Sequence, residues 1–192
     1  MTTTTLPINQ QVDATSNAVF VQDLVATGKL ISQGTLTVDG NATITGTLTS
    51  TNSAPKTVAA SGTTLALTGA QTGASVILSR AAGSTITLPA PVVGTRFRFY
   101  VGVVTTGGNV YKVITSAGTV FLAGGVYIDK ALTVTRYAAD GSTIVSINLN
   151  GTTTGGLTIG DYFDVTCITA TEWSIEGTLS ASGTLATPFA TS

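Results

Sequence analysis

Gly28, Gly34, Gly40 and Gly46 recur at a six-residue interval, and nothing else in the sequence restricts the fold as much. Two positions after each glycine stand Leu30, Leu36, Ala42 and Leu48; four positions after stand Ser32, Val38, Ile44 and Ser50. Extended backwards, the same phase gives Leu24 and Ala26, then Ala18 and Phe20. Small or apolar residues therefore hold most even positions over 16–50, with mostly Thr, Asn, Asp, Lys and Gln on odd ones. Alternation of that kind means extended chain with one buried face. Evenly spaced glycines mean that the chain turns, or passes close to another backbone, once per hexad.

A single-chain β-helix needs several stacked coils to bury a core, and these hexads supply one or two. Three chains wound together would close the core among themselves. The first reading is therefore a trimeric β-stalk over 16–50, with Leu24, Leu30, Leu36, Val38, Ile44 and Leu48 inside. A plain hairpin turning at Asp39-Gly40 is the structural alternative. A third reading makes 16–27 a short helix ended by Gly28, although Val19, Phe20 and Val21 form helix poorly. Residues 1–15 read as an extended arm, because Leu6, Pro7, Ile8 and Val12 are too few apolar groups for a core and Pro7 presets an extended backbone. Residues 51–56 lose the alternation and contain Pro55, which reads as a linker.

From 57 to 192 short apolar runs separated by turn signals replace the hexads. The runs are 63–67, 75–79, 85–88, 97–101, 110–115, 120–122, 132–137, 143–149, 162–168 and 172–177. Turn signals fall at 82–84, 106–109, 123–125, 140–141 and 155–156. Glycine supplies 22 residues, and threonine, which suits a pleated surface, about a fifth of the chain. Only 9% of residues are charged, so solvated helices lack their usual decoration. The expected class is all-β: an arm and stalk followed by a β-sandwich or jelly-roll-like barrel.

The chemistry this composition permits is narrow. No histidine is present, which removes Ser-His-Asp and Cys-His catalysis and ordinary zinc sites. The lone Cys167 sits in a strand-like run and reads as a buried, inert thiol. A formal net charge of −1 offers no electrostatic pull toward nucleic acid or anionic membrane. Mean hydropathy is +0.42, yet Gly, Thr and Ser interrupt every apolar run short of a membrane span. No basic, apolar leader begins the sequence, so no signal peptide is expected. Arg96-Phe97-Arg98-Phe99-Tyr100 has the look of a single-strand nucleic-acid strip, but an amphipathic strand with an outward Arg face explains it more simply. Asp161 and Asp164 are three apart and fall on opposite faces of a strand, so they do not converge on a metal; Asp161 reads as closing a turn with Gly160. Glu172, Ser174 and Glu176 share one face and face an Arg on a neighbour, with Trp173 and Ile175 in the core. Asn41 and Asn150 head glycosylation sequons in form only. Neither an enzyme nor any cofactor or metal is expected.

The run Gly34-Thr-Leu-Thr-Val-Asp-Gly-Asn-Ala-Thr-Ile-Thr-Gly-Thr-Leu-Thr49 resembles the Gly-x-Leu-x-Val-x-Gly repeats of tailed-bacteriophage fibres and head-decoration proteins. The stretches 83–91, 94–99, 160–165 and 172–177 are similar to a small β-domain of phage structural proteins. The resemblance implies a homotrimeric virion protein on the outer capsid surface, bound to the major capsid protein and cementing the shell; the extended arm, with its few apolar groups, is then expected to make much of the contact. A short head or tail fibre with a host-receptor tip is the alternative it leaves open. The stalk is shorter than the shaft usual in a tail fibre. Outside phage biology, a carbohydrate-binding module remains, and an exposed aromatic platform would favour it.

Overall fold

The computed structural model describes residues 56–192. The arm, the hexads and all but the last residue of the linker lie outside the described residues, and with them Leu6, Pro7, Ile8, Val12, Leu24, Leu30, Leu36, Val38, Ile44 and Leu48. The described residues form twelve strands: β1 (Thr57–Ala60), β2 (Thr64–Ala66), β3 (Ala74–Leu78), β4 (Ser84–Thr87), β5 (Arg96–Val101) and β6 (Tyr111–Ile114) in their first half. The second half adds β7 (Phe121–Lys130), β8 (Thr133–Asp140), β9 (Ser146–Leu149), β10 (Tyr162–Cys167), β11 (Glu172–Ser180) and β12 (Phe189–Ala190). The described residues are thus all-β, in two sheets packed as a sandwich.

One sheet has seven strands in the order β1-β3-β5-β10-β11-β7-β8, the other five in the order β12-β9-β6-β4-β2. Successive strands β1 to β6 alternate between the sheets, so each lies parallel to the strand two before it. That half is a flat winding of three turns, which stacks Val58, Val76 and Phe99 in register. The second half is mostly hairpin-like and antiparallel, apart from the parallel pair β7–β11. The sandwich is as expected, and the order and direction of its strands, which the sequence left open, combine this parallel winding with antiparallel pairing. The reason is physical: alternation fixes which side chain is buried, and it is the same in parallel and antiparallel ladders.

The core lies between the sheets. Trp173, Phe97, Phe99, Phe163, Tyr111, Leu78 and Ile147 are fully buried there. Phe99 stacks on Phe163 with centroids 4.7 Å apart, and Phe97 meets Trp173 at 6.3 Å. Each such side chain contributes roughly 1.5–3 kcal/mol of burial.

The signal at 123–125 marks no turn. Ala123, Gly124 and Gly125 lie inside β7, where a Cβ on Gly124 would stand 2.3 Å from the Ile175 carbonyl oxygen and one on Gly125 would stand 2.4 Å from that of Tyr137. Glycine is needed there for close approach of three backbones, not for reversal. The reversal comes at Ala131 and Leu132, whose φ angles are 44° and 85°. Two left-handed residues are what a tight hairpin with the strands' own twist requires, although neither residue favours it. The run expected at 143–149 begins as strand only at Ser146, because Asp140 caps the preceding turn.

Candidate binding face

The seven-stranded sheet buries one face and exposes the other. On β5, Phe97, Phe99 and Val101 go inward while Arg96 and Arg98 stay exposed, as the alternation implied. On β11, Trp173 and Ile175 are buried while Glu176 and Thr178 face solvent. Registered positions in a sheet share a face, so the pairings assemble outward side chains into rows. One row runs Arg98, Asp164, Glu176, Gly125, Ala138 across β5, β10, β11, β7 and β8. The next, two residues along each strand, runs Tyr100, Tyr162, Thr178, Tyr127, Arg136.

Arg98 and Asp164 form a forked pair, with Nε donating to Oδ1 at 2.6 Å and Nη2 to Oδ2 at 2.5 Å. It is the one ion pair among the described residues. The hydrogen bonds to Asp164 push the Arg98 pKa further above its already high ordinary value, so the guanidinium stays charged. The same guanidinium lies 5.2 Å from the centre of the Tyr162 ring, which tilts against Tyr100 at 6.2 Å. Beside the pair is a shallow depression of about 440 Å³ lined by Ser75, Arg96, Thr166 and Glu176 among others. Arg136 folds back over Gly125, with Nη2 donating to the Gly124 carbonyl at 3.2 Å.

Glu172, Ser174 and Glu176 do share a face, but the acid that meets an Arg is Asp164 on the strand between. Glu172 instead accepts from the Thr169 hydroxyl at 3.3 Å. Asp161 lies apart from Asp164, where it accepts from the Ser180 amide at 2.8 Å and the Thr158 amide at 3.4 Å, and so ties a turn as its place beside Gly160 suggested. The Cys167 thiol is buried, burial pushes its pKa up, and it donates to the Thr169 carbonyl. That environment suppresses the thiolate that reactivity needs. Asn150 serves as a loop brace: its side-chain oxygen accepts from the Thr152, Thr153 and Thr154 amides, and its Nδ2, the atom a sequon glycan would take, donates to Thr153. No group of three His, Cys, Asp or Glu residues converges as a metal site among the described residues.

The tyrosine row escaped the sequence reading. Tyr100 and Tyr162 fall in strand-like runs, but Tyr127 lies beyond the glycines at 124–125 that signal a turn, and register across five strands is not written in any one of them. No family model matches the chain, and no curated protein matches it.

Proposed function

We propose that this chain is a non-enzymatic structural protein of a bacteriophage particle, which trimerises through 16–50 and binds the major capsid protein on the outer capsid surface to stabilise the shell. The observation that carries the reading is the hexad alternation over 28–50, a core with too few residues to close in one chain and enough in three. The sparse charge fits contacts made by backbone pairing and apolar anchors rather than by electrostatic steering. Three arms on one trimer add avidity to individually weak contacts. The polar groups of the sandwich fit a surface role as well: the Asp164 carboxylate is committed to Arg98, and the Cys167 thiol is buried.

The test uses the full-length chain and a variant lacking residues 2–13, each mixed with undecorated capsids after its mass is measured by light scattering. Both are expected to be trimers, and only the full-length chain should bind and protect capsids against heat. Equal protection by both removes the arm from the mechanism; a monomeric full-length chain removes the stalk.

A second reading, a short head or tail fibre that meets a host surface, is favoured by one observation. Residue 56 leads in at the end where β1, β3 and β5 start, where Val92, Val93 and Ile168 are exposed, and the β7–β8 hairpin carries exposed Tyr127, Val134 and the fully exposed Leu132 to the opposite end. Binding of the full-length trimer to host cells, with no binding to capsids, would establish this reading over the first.

A further inference from the structure

We infer that the outer face of the seven-stranded sheet binds a neutral oligosaccharide of about three sugar rings, laid along the tyrosine row. The inference deepens the fibre reading by naming a ligand class, and it holds equally for a capsid-bound copy that displays this face outward.

Isolated apolar residues are ordinary on a protein surface, whereas aromatic side chains aligned in one registered row are a pattern. Tyr162 is 36% exposed and Tyr127 48%, so both rings stay partly uncovered in the folded domain. They sit on β10 and β7, with only β11 between them, which places them two strand spacings apart, about 10 Å. The residue between them is Thr178, whose short, exposed side chain leaves a gap the size of one ring. A pyranose has an apolar C–H face that packs on an aromatic ring and a rim of hydroxyls that hydrogen-bond in plane. Two tyrosines with a threonine between them fit the first and third rings of an extended trisaccharide, with the middle ring over Thr178.

The adjacent row supplies the polar partners. Arg98, Asp164 and Glu176 lie two residues along the strands, about 7 Å from the rings, where they reach the hydroxyl rim of a sugar stacked on Tyr162. Arg98 already holds that ring from one side and is itself fixed by the fork to Asp164, so little side-chain freedom is lost on binding. At the other end Arg136 lies over Gly125, which leaves the Tyr127 ring clear. Across these two rows Arg98 and Arg136 balance Asp164 and Glu176. The flanking rows add Arg96 against Asp129, Asp140 and Glu172, so the face as a whole is slightly acidic; carrying both donors and acceptors, it suits a neutral polyol and disfavours a phosphate or sulfate.

The probes are cellohexaose, chitohexaose, mannohexaose and a sulfated hexasaccharide, titrated into the full chain by calorimetry, with side-chain NMR of the tyrosines. At least one neutral hexaose is expected to bind and to shift Tyr127 and Tyr162. Tyr127→Ala and Tyr162→Ala should each weaken that binding about tenfold or more, as loss of an aromatic anchor does, with little change in Tm, and Tyr127→Phe should retain it. Capsid binding by the same variants should be unchanged, so failure here leaves the capsid reading standing and the reverse holds too. The inference is overturned if no neutral hexaose binds, if only the sulfated probe binds, or if the alanine variants bind as well as the parent. It is also overturned if Tyr127→Ala alters the oligomeric mass instead, which would make the face a contact between copies.

Discussion

On β5, β10 and β11 every second side chain joins Phe97, Phe99, Phe163, Val165, Trp173 and Ile175 beneath the seven-stranded sheet, while the residues between them, Arg96, Arg98, Asp164, Thr166, Ser174 and Glu176, lie above it. The lower face is dry and aromatic, with its rings stacked or tilted against one another. The upper face is half-exposed, holds one ion pair and carries tyrosines that leave part of each ring uncovered. The difference teaches where each kind of substitution should act. Stability belongs to the lower face, through area removed from water. The upper face belongs to recognition, because an exposed ion pair contributes only about 0–1 kcal/mol to folding.

The largest effect should therefore come from below. Trp173 is fully buried, and its indole N–H has no hydrogen-bond partner among the described residues, so its contribution there is packing. Trp173→Ala is expected to cost roughly 3–5 kcal/mol in urea or thermal unfolding of the full chain. Trp173→Phe should cost much less, since it keeps the aromatic contact with Phe97 and removes an unpaired buried donor. If the two variants unfold alike, packing is not what Trp173 supplies. A loss of saccharide binding in Trp173→Phe with stability intact would blur the division between the faces.

The same contrast explains what the sequence disclosed. Alternation in 96–101 and 172–177 assigned each side chain to the correct face, including Trp173 and Ile175, because a period of two is a local property. The parallel winding of β1 to β6 was not legible, since a residue does not record whether its neighbour runs with it or against it. The Gly124-Gly125 pair misled for a related reason: glycine serves a turn and a close backbone approach alike, and only the positions of Ile175 and Tyr137 decide between them. The candidate face needed register over five strands, so the sequence yielded Arg98 and Tyr100 as an outward pair but not Asp164, Tyr162 and Tyr127 as their neighbours. The arm and the stalk rest on sequence alone, on Leu6, Ile8, Leu36 and Ile44 and the pattern around them.

A smaller effect, of opposite sign, is expected at the tip of the β7–β8 hairpin. Leu132 combines a φ of 85° with complete exposure, so its side chain gains nothing from burial while its backbone sits where only glycine is unstrained. Leu132→Gly should raise stability by roughly 0.5–1 kcal/mol, the relief of left-handed strain less the added freedom of the unfolded chain. Leu132→Ala should leave stability nearly unchanged, because it keeps the strain and removes no packed contact. Equal stabilisation by both would trace the effect to the exposed side chain instead of the backbone.

The smallest effect belongs to the carboxylate that closes the turn after β8. Asp140 accepts from the amides of Ser142, Thr143 and Ile144 and from the Thr143 hydroxyl, and those hydrogen bonds, the hydroxyl first, hold its pKa well below the ordinary carboxylate range. A group whose folded pKa is depressed stabilises the fold fully above its unfolded pKa, near 3.9, and loses that contribution as pH falls toward the folded value. Asp140→Asn keeps a side-chain oxygen for the amides but removes the charge, so the pH-dependent part of the interaction is isolated in the comparison. The parent should melt above Asp140→Asn by a constant margin from pH 7 down to about pH 4, and the margin should shrink below that. Because Asp140 is exposed, the margin should be small and should weaken with added salt. A margin that stays constant down to pH 2, or loop amides in the parent that shift at pH 4, would mean that the carboxylate does not hold this turn through its charge.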